Sequence, residues 1–432
     1  MAKKIQLVLT DEQWKIVESL RGTMGESDAD LLRNIVISWL SEKLMIKPRG
    51  SKDGKFYFID LFSGAGGLSK GLEMAGMNCI LGVDFDKIAI KTFKRNHPNS
   101  DVFAGDISKL TEEKLKELIG DKKIRLVAGG PPCQGMSTVG KGDPDDPRNF
   151  LFREFVRIVG IIKPDYVLLE NVTGMVGRKN HAIAEGILKE FGRMDYQMEP
   201  KVLTASHYGV PERRRRTIFL GNRLGYAVKW PEPGYDDKGL SIPVVGDALR
   251  DLSASDGELY NHDVESARIM DETDLARIKH IPEGCGIRYE EDEEAYLPGE
   301  LKLGVNWKTM DEGRFRQTKY RRLDRRQPSP TIMTGRYSYY HPTEPRFITA
   351  REAAAIQSFP NDFVFEGTVS QQWRQIGNAV PPLMAKALGE AILRVDEEKT
   401  PANMGAMTMI SHVRKHAFNY KDGDPFQKKL HD

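Results

Sequence analysis

Between residues 56 and 169 the chain repeats one pattern: a short unbroken apolar run, a turn carrying glycine or acid, then an amphipathic stretch. The runs at 56–61, 79–83, 101–104, 126–128 and 166–169 are continuous rather than alternating, as strands covered on both faces require. Helical spacing follows the first of them to Ala75 and returns over 150–162, with Arg153 and Arg157 on the polar side. Strand and helix in alternation predict an α/β fold with a doubly wound sheet.

The pattern changes at both ends. In residues 1–48, Ile5, Leu7 and Leu9 alternate with Lys4, Gln6 and Val8, which predicts a short strand with one apolar face. Thr10-Asp11-Glu12-Gln13 reads as a capping box opening a helix with Trp14, Val17 and Leu20 on one side. Gly22 and Gly25 break it, and Ser27-Asp28 can cap a second helix carrying Leu31, Leu32, Ile35, Val36, Trp39, Leu40 and Leu44. Strand, helix, helix in this compass resembles the ribbon-helix-helix DNA-binding fold, which would pair two chains, with Lys4, Gln6 and Val8 facing a groove. The alternative is an amphipathic extension packed on the main body. Residues 49–55 form a polar linker.

From residue 224 to about 330 the alternation is lost. An acidic cluster (Glu290, Glu291, Asp292, Glu293, Glu294) is expected to face solvent. A basic one (Lys319, Arg321, Arg322, Arg325, Arg326), with Arg336-Tyr337-Ser338-Tyr339-Tyr340, suits phosphate contacts and groove lining. Thr349 should cap a helix within 347–359, and a last helix should run over 383–393, leaving a polar tail without periodicity from Glu397.

Charge changes the picture little. With 64 Lys plus Arg against 62 Asp plus Glu in 432 residues, a polyanion must be held by local patches rather than by an overall field. No apolar run approaches membrane-spanning length and the N-terminus lacks a signal-peptide core, so a cytoplasmic protein is expected. Three widely spaced cysteines, Cys79, Cys133 and Cys285, support neither a disulfide framework nor a metal site.

Candidate chemistry gathers at the strand ends. Val127-Ala-Gly-Gly-Pro-Pro-Cys133 carries a thiol on a proline-stiffened turn after a buried strand, where open sheets bind ligands. Glu170 is a carboxyl at the end of another buried strand, costly unless it works or is paired. A glycine-rich turn, Phe62 to Leu68, follows the first strand; Asp84 stands about 20 positions on, where ribose hydroxyls are held, beside the aromatic Phe85. The third strand ends in Gly105-Asp106-Ile107. The polar segment 137–148 is a candidate lid.

These stretches, with Arg214-x-Arg216 and Gly377-Asn-Ala-Val-Pro381, resemble in order the motif set of cytosine-C5 DNA methyltransferases, from Phe56 to about Arg394. The resemblance implies a doubly wound, Rossmann-like S-adenosylmethionine-dependent methyltransferase sheet over 56–223, a smaller target-recognition domain over 224–345, a return to the first domain over 346–395, and a tail over 396–432, beside the ribbon-helix-helix-like α+β module. It implies a double-stranded DNA substrate and a flipped cytosine, with Cys133 as nucleophile to C6, Glu170 at N3 and the exocyclic amine, Arg216 at O2 and Arg214 in support. It assigns Phe62, Gly64, Gly66, Asp84, Phe85, Asp106, Ile107, Leu151 and Asn378 to S-adenosylmethionine, and it suggests a restriction-modification setting in which the N-terminal module, as a homodimer, also binds DNA for autoregulation. Met136 and Glu212 stand where the family more often has Phe and Gln. Two alternatives remain: a transfer-RNA cytosine methyltransferase, whose typical Cys-Phe-Thr segment is missing here, and a DNA-binding regulator with a secondary catalytic body.

Overall fold

The computed structural model describes residues 10–18, 28, 32, 54–132, 150–176, 181–235, 240–309 and 318–402. The chain divides into two units, 1–47 and 48–432. In the first, helix α1 spans Asp11–Glu18 and begins directly after Thr10, whose carbonyl accepts the Trp14 N–H at 2.8 Å; Asp28 and Leu32 are also helical. The expected ribbon strand and its residues Lys4, Gln6 and Val8 lie outside the described residues.

The second unit is built on one seven-stranded sheet. Its strands are β1 (Tyr57–Leu61), β2 (Asn78–Asp84), β3 (Asp101–Ala104), β4 (Ile124–Gly129), β5 (Tyr166–Val172), β6 (Gln197–Thr204) and β7 (Arg215–Asn222), in the order β3-β2-β1-β4-β5-β7-β6. The five expected strands are all present, and β1 to β5 pair in parallel. Beyond the sequence reading, β7 inserts antiparallel between β5 and β6. Pro200 sits in β6, an edge strand, the place in a sheet where proline is tolerated.

Side chains alternate across this sheet, so each strand feeds two cores. Ile59, Leu61, Val127, Leu169 and Phe219 pack on one side with Leu115 of α4 (Glu112–Ile119), Phe155 and Ile158 of α5 (Phe150–Ile162) and Phe191 of α6 (His181–Gly192). Phe56, Phe58, Leu126 and Leu168 pack on the other with Leu72 of α2 (Gly67–Met74) and Met384 and Leu388 of the last helix, Pro382–Glu398. That helix approaches α2 so closely that a Cβ on Gly71 would collide with the Pro382 carbonyl. It is also tied to the sheet by Arg125, which donates at 2.7 Å to both Asp165 and Asp396. Helix α3 (Lys87–Asn96) follows β2 and is capped by the Asp86 carboxylate, which accepts the Ile88 and Ala89 N–H groups.

The segment between carries short helices: α7 (Val245–Ala248), α8 (Glu272–His280), α9 (Glu290–Tyr296), α10 (Ala350–Ile356) and α11 (Val369–Asn378), after which the last helix is α12. Thr349 caps α10 as expected, and Glu352 closes a capping box with it. Helix α11 is additional to the expected last helix over 383–393; it is a separate helix capped by Thr368.

Three other expectations change. The acidic cluster forms α9, yet Glu293 turns inward; its two oxygens accept the Leu303 N–H and, at 2.7 Å, the Trp307 indole N–H. Arg322 is buried and donates to the carbonyls of His341, Ile278, Ile281 and Glu344, so it is spent on the fold rather than on phosphates. Tyr339 and Tyr340 are buried too. The Tyr339 hydroxyl donates to the Thr331 carbonyl and Tyr340 stacks on Phe347 at 4.5 Å, leaving Arg336 and Tyr337 on the outside.

Candidate active site

The C-terminal ends of β1, β2 and β3 form one cradle. After β1 the backbone turns through left-handed conformations at Phe62 (φ 60°), Gly64 (φ 53°) and Gly66 (φ 95°). A side chain at Gly66 would collide with the His97 ring, so this turn needs glycine for space as well as for φ. His97 is itself fixed by Glu73 at 2.8 Å. The Gly64 N–H donates to one Asp84 oxygen at 2.8 Å and the Asp86 N–H to the other. Asp84 thus holds the turn in shape; burial pushes its pKa up, and the backbone N–H groups of Asp86, Gly64 and Phe85 pull it back. Phe85 is 77% exposed, an open aromatic face beside that acid. Asp106 caps the short turn Ile107–Lys109 by accepting the Ser108 N–H at 3.0 Å, which holds its pKa down. The Ile107 side chain goes into the core instead of the cradle. Leu151 is half-buried in the first turn of α5, and Asn378 is exposed at the end of α11.

The second cluster sits where β5 meets β7. Glu170 and Asn171 lie within β5, not after it, and β7 pairs Arg216 opposite Val172. Arg216 Nε stands 2.9 Å from Glu170 Oε1. Burial pushes the Glu170 pKa up while Arg216, then Arg214, pulls it back. The carboxyl lies over Gly130, where an added Cβ would come within 2.9 Å of Oε2. Asn171 donates to the Pro131 carbonyl at 3.0 Å, fastening the Gly-Gly-Pro-Pro turn to β5. Cys133, one residue past Pro132, lies outside the described residues, as do Met136 and the candidate lid 137–148.

Arg214 is fully buried. It donates to the Gly377 carbonyl at 2.7 Å and the Ile332 carbonyl at 3.3 Å, and faces Glu212 at 3.7 Å. Burial lowers its pKa to about 10. One chain of contacts therefore joins the arginine stretch to the backbone at Ile332 and to α11 at Gly377. In the sequence Glu212 stands out only as a departure from the family pattern, and Asn171 only as the neighbour of Glu170; a carboxyl beside four arginines at the head of an apolar strand is the signal for the first.

A parallel sheet with an inserted antiparallel β7 and a glycine turn tied to an acid defines a nucleoside-cofactor methyltransferase fold. The model of the C-5 cytosine-specific DNA methylase family matches residues 56–394. The chain is 35% identical over 352 residues to the Type II methyltransferase M1.HphI of Haemophilus parahaemolyticus, covering 78% of this chain and 87% of that one. It is 34% identical over 379 residues to M.XorII of Xanthomonas oryzae, covering 81% and 88%. Among solved structures, a prophage protein of E. coli assigned as a DNA modification methyltransferase superposes with a TM-score of 0.59 at 28% identity, covering 79% of this chain and 99% of that one. The Dnmt2 methyltransferase of S. pombe, at 18% identity and a TM-score of 0.54, shares the fold. This chain belongs to the C-5 cytosine-specific DNA methylase family and is a DNA cytosine-C5 methyltransferase.

No helix among the described residues is long and apolar enough to cross a membrane, and no cluster of three His, Cys, Asp or Glu among them could hold a metal ion.

Proposed function

We propose that the protein methylates C5 of a cytosine extruded from duplex DNA, with Cys133 as nucleophile and Glu170 and Arg216 holding the base. The observation that carries this reading is the Glu170–Arg216 pair at 2.9 Å, set over the turn that leads into Cys133. C5 of cytosine is too weak a nucleophile to take a methyl group unaided. Addition of the Cys133 thiolate to C6 creates an enamine at C5, and a Glu170 proton shared with N3 relieves the charge that develops there. Arg216 donates to O2, and Arg214 fixes the strand that carries it. After transfer the C5 proton leaves, the C6–sulfur bond breaks, and the thiolate is restored. The target carbon is inaccessible within a duplex, so the base must leave the stack.

S-adenosylmethionine fits the first cradle. The left-handed turn lets backbone approach a ligand, Asp84 has lone pairs for ribose hydroxyls, and the open Phe85 ring offers a face for adenine. Phe62, Gly64, Gly66, Asp106, Ile107, Leu151 and Asn378 complete the proposed set, Ile107 through its backbone. When bound, the cofactor supplies an electrophilic sulfonium methyl group.

By the same reading 56–223 and 346–395 make the catalytic domain and 224–345 the target-recognition domain, and the setting is a restriction-modification system, as the Type II relatives suggest. Residues 1–48 are read as a dimerising module that also binds DNA. The test is trapping on duplex DNA containing 5-fluorocytosine with S-adenosylmethionine. The fluorine cannot leave as a proton does, so the expected result is a denaturant-resistant adduct, lost in Cys133→Ser. An adduct on RNA but none on DNA would sink the proposal.

A further inference from the structure

Glu212 is the residue the proposed mechanism leaves unexplained. Its side chain is fully buried. One oxygen accepts the Ile332 N–H at 2.6 Å, and the other has no hydrogen-bond partner. A buried carboxyl with an idle oxygen is costly, and a neutral amide would serve Ile332 equally well. The charge therefore needs a reason.

That reason lies in the neighbours. Glu212, Arg214 and Arg216 recur at every second position, so an extended backbone sets them on one side. Glu170 faces Arg216 at 2.9 Å, and Glu212 faces Arg214 at 3.7 Å. Two carboxyls and two guanidiniums thus share one buried cluster that is formally neutral when all four are charged. Arg214 favours the ionised form of Glu170 as well as that of Glu212. We propose that Glu212 is a positioning residue for Glu170: its charge offsets that of the Arg214 guanidinium and so weakens the pull of Arg214 on Glu170, leaving Arg216 the main opposing charge, so that Glu170 can carry the proton it presents to cytosine N3. This rests on the role given to Glu170 above.

The surroundings agree. Burial pushes Glu212 up to about 7 against the pull of Arg214, and Glu212 is the strongest influence holding Arg214 up against burial. The other groups that bear on the cluster are the Tyr339 phenol on the recognition segment and Asp60 of β1, whose carboxyl is also raised by burial. The carboxyls that act on Arg214 are Glu212 and Glu170, and neither Asp60 nor Tyr339 is among its partners, so neither replaces Glu212 as its counter-charge. Of the flanking arginines, Arg213 is engaged by Gln327 and Arg215 is exposed.

The experiment is the pH dependence of single-turnover methyl transfer from labelled S-adenosylmethionine to unmethylated genomic duplex DNA, by the full chain and by Glu212→Gln and Glu212→Asp. Glutamine matches the shape and keeps an acceptor for the Ile332 N–H; aspartate keeps the charge. The activity that requires protonated Glu170 declines on the alkaline side. In Glu212→Gln that limb should move to lower pH by about one unit, because the pull of Arg214 on Glu170 is then no longer offset; in Glu212→Asp it should stay. An unmoved limb in the glutamine variant, an equal loss of rate at every pH, or the same shift in both variants would each overturn the inference, leaving the catalytic reading intact. Absence of transfer to DNA by the unaltered chain would instead sink that reading, and the inference with it.

Discussion

Two arginine-rich stretches, 213–216 and 321–326, look alike in sequence and have opposite fates. In the first, strand alternation decides: Arg214 and Arg216 turn inward, Arg215 stays outside, and the inward pair meets Glu212 and Glu170. In the second, an irregular backbone decides. Arg322 plunges in and satisfies four carbonyls that no ladder would serve, while Arg325 and Arg326 pair on the surface with Glu283 and Asp324. An arginine run announces a need for guanidinium, and the backbone it rides on determines whether that need is chemical, structural or solvent-facing.

Substitutions sharpen the contrast. Arg216→Ala should cut single-turnover methyl transfer by about a hundredfold or more, because in the proposed mechanism it removes the charge that orients base and acid together, with little change in melting temperature. A comparable loss of stability would erase the distinction between the two stretches. Arg322→Met should do the reverse: orphaned carbonyls cost about 2–4 kcal/mol, read as a lowered melting temperature, with cofactor affinity unchanged. Smallest is Arg336→Ala. Its guanidinium lies 4.3 Å over the exposed Tyr337 ring, outside both clusters. The expected effect is uniformly weaker DNA binding, with the salt dependence reduced by about one phosphate contact in a binding titration.

Much of the catalytic sheet was legible because its strands are unbroken apolar runs. Tyr57–Leu61, Asp101–Ala104 and Phe150–Ile162 fall within a residue of where periodicity put them. The cradle could be read because its requirements are steric: a turn that must be left-handed shows itself as glycine, and Phe85 shows itself by being aromatic next to an acid. The antiparallel β7 was not legible, since a strand's direction is set by the hairpin that inserts it and not by its composition. Neither was the inward turn of Glu293, which depends on Trp307 fourteen residues away in sequence. Helix α11 escaped because its Gly377 reads as a breaker. There the glycine permits close approach, since a Cβ would come within 2.6 Å of the backbone at Met333 and Thr334.

The packing of α12 against α2 also orders events in time. The helix that follows the glycine turn ends at Met74, yet the surface it packs on is supplied by residues 382–398. During synthesis Leu72 and its neighbours must wait, with their apolar face uncovered, while the roughly 300 residues between the two helices are made. A nascent chain therefore lacks the layer that supports the glycine turn until residues 382–398 have been made.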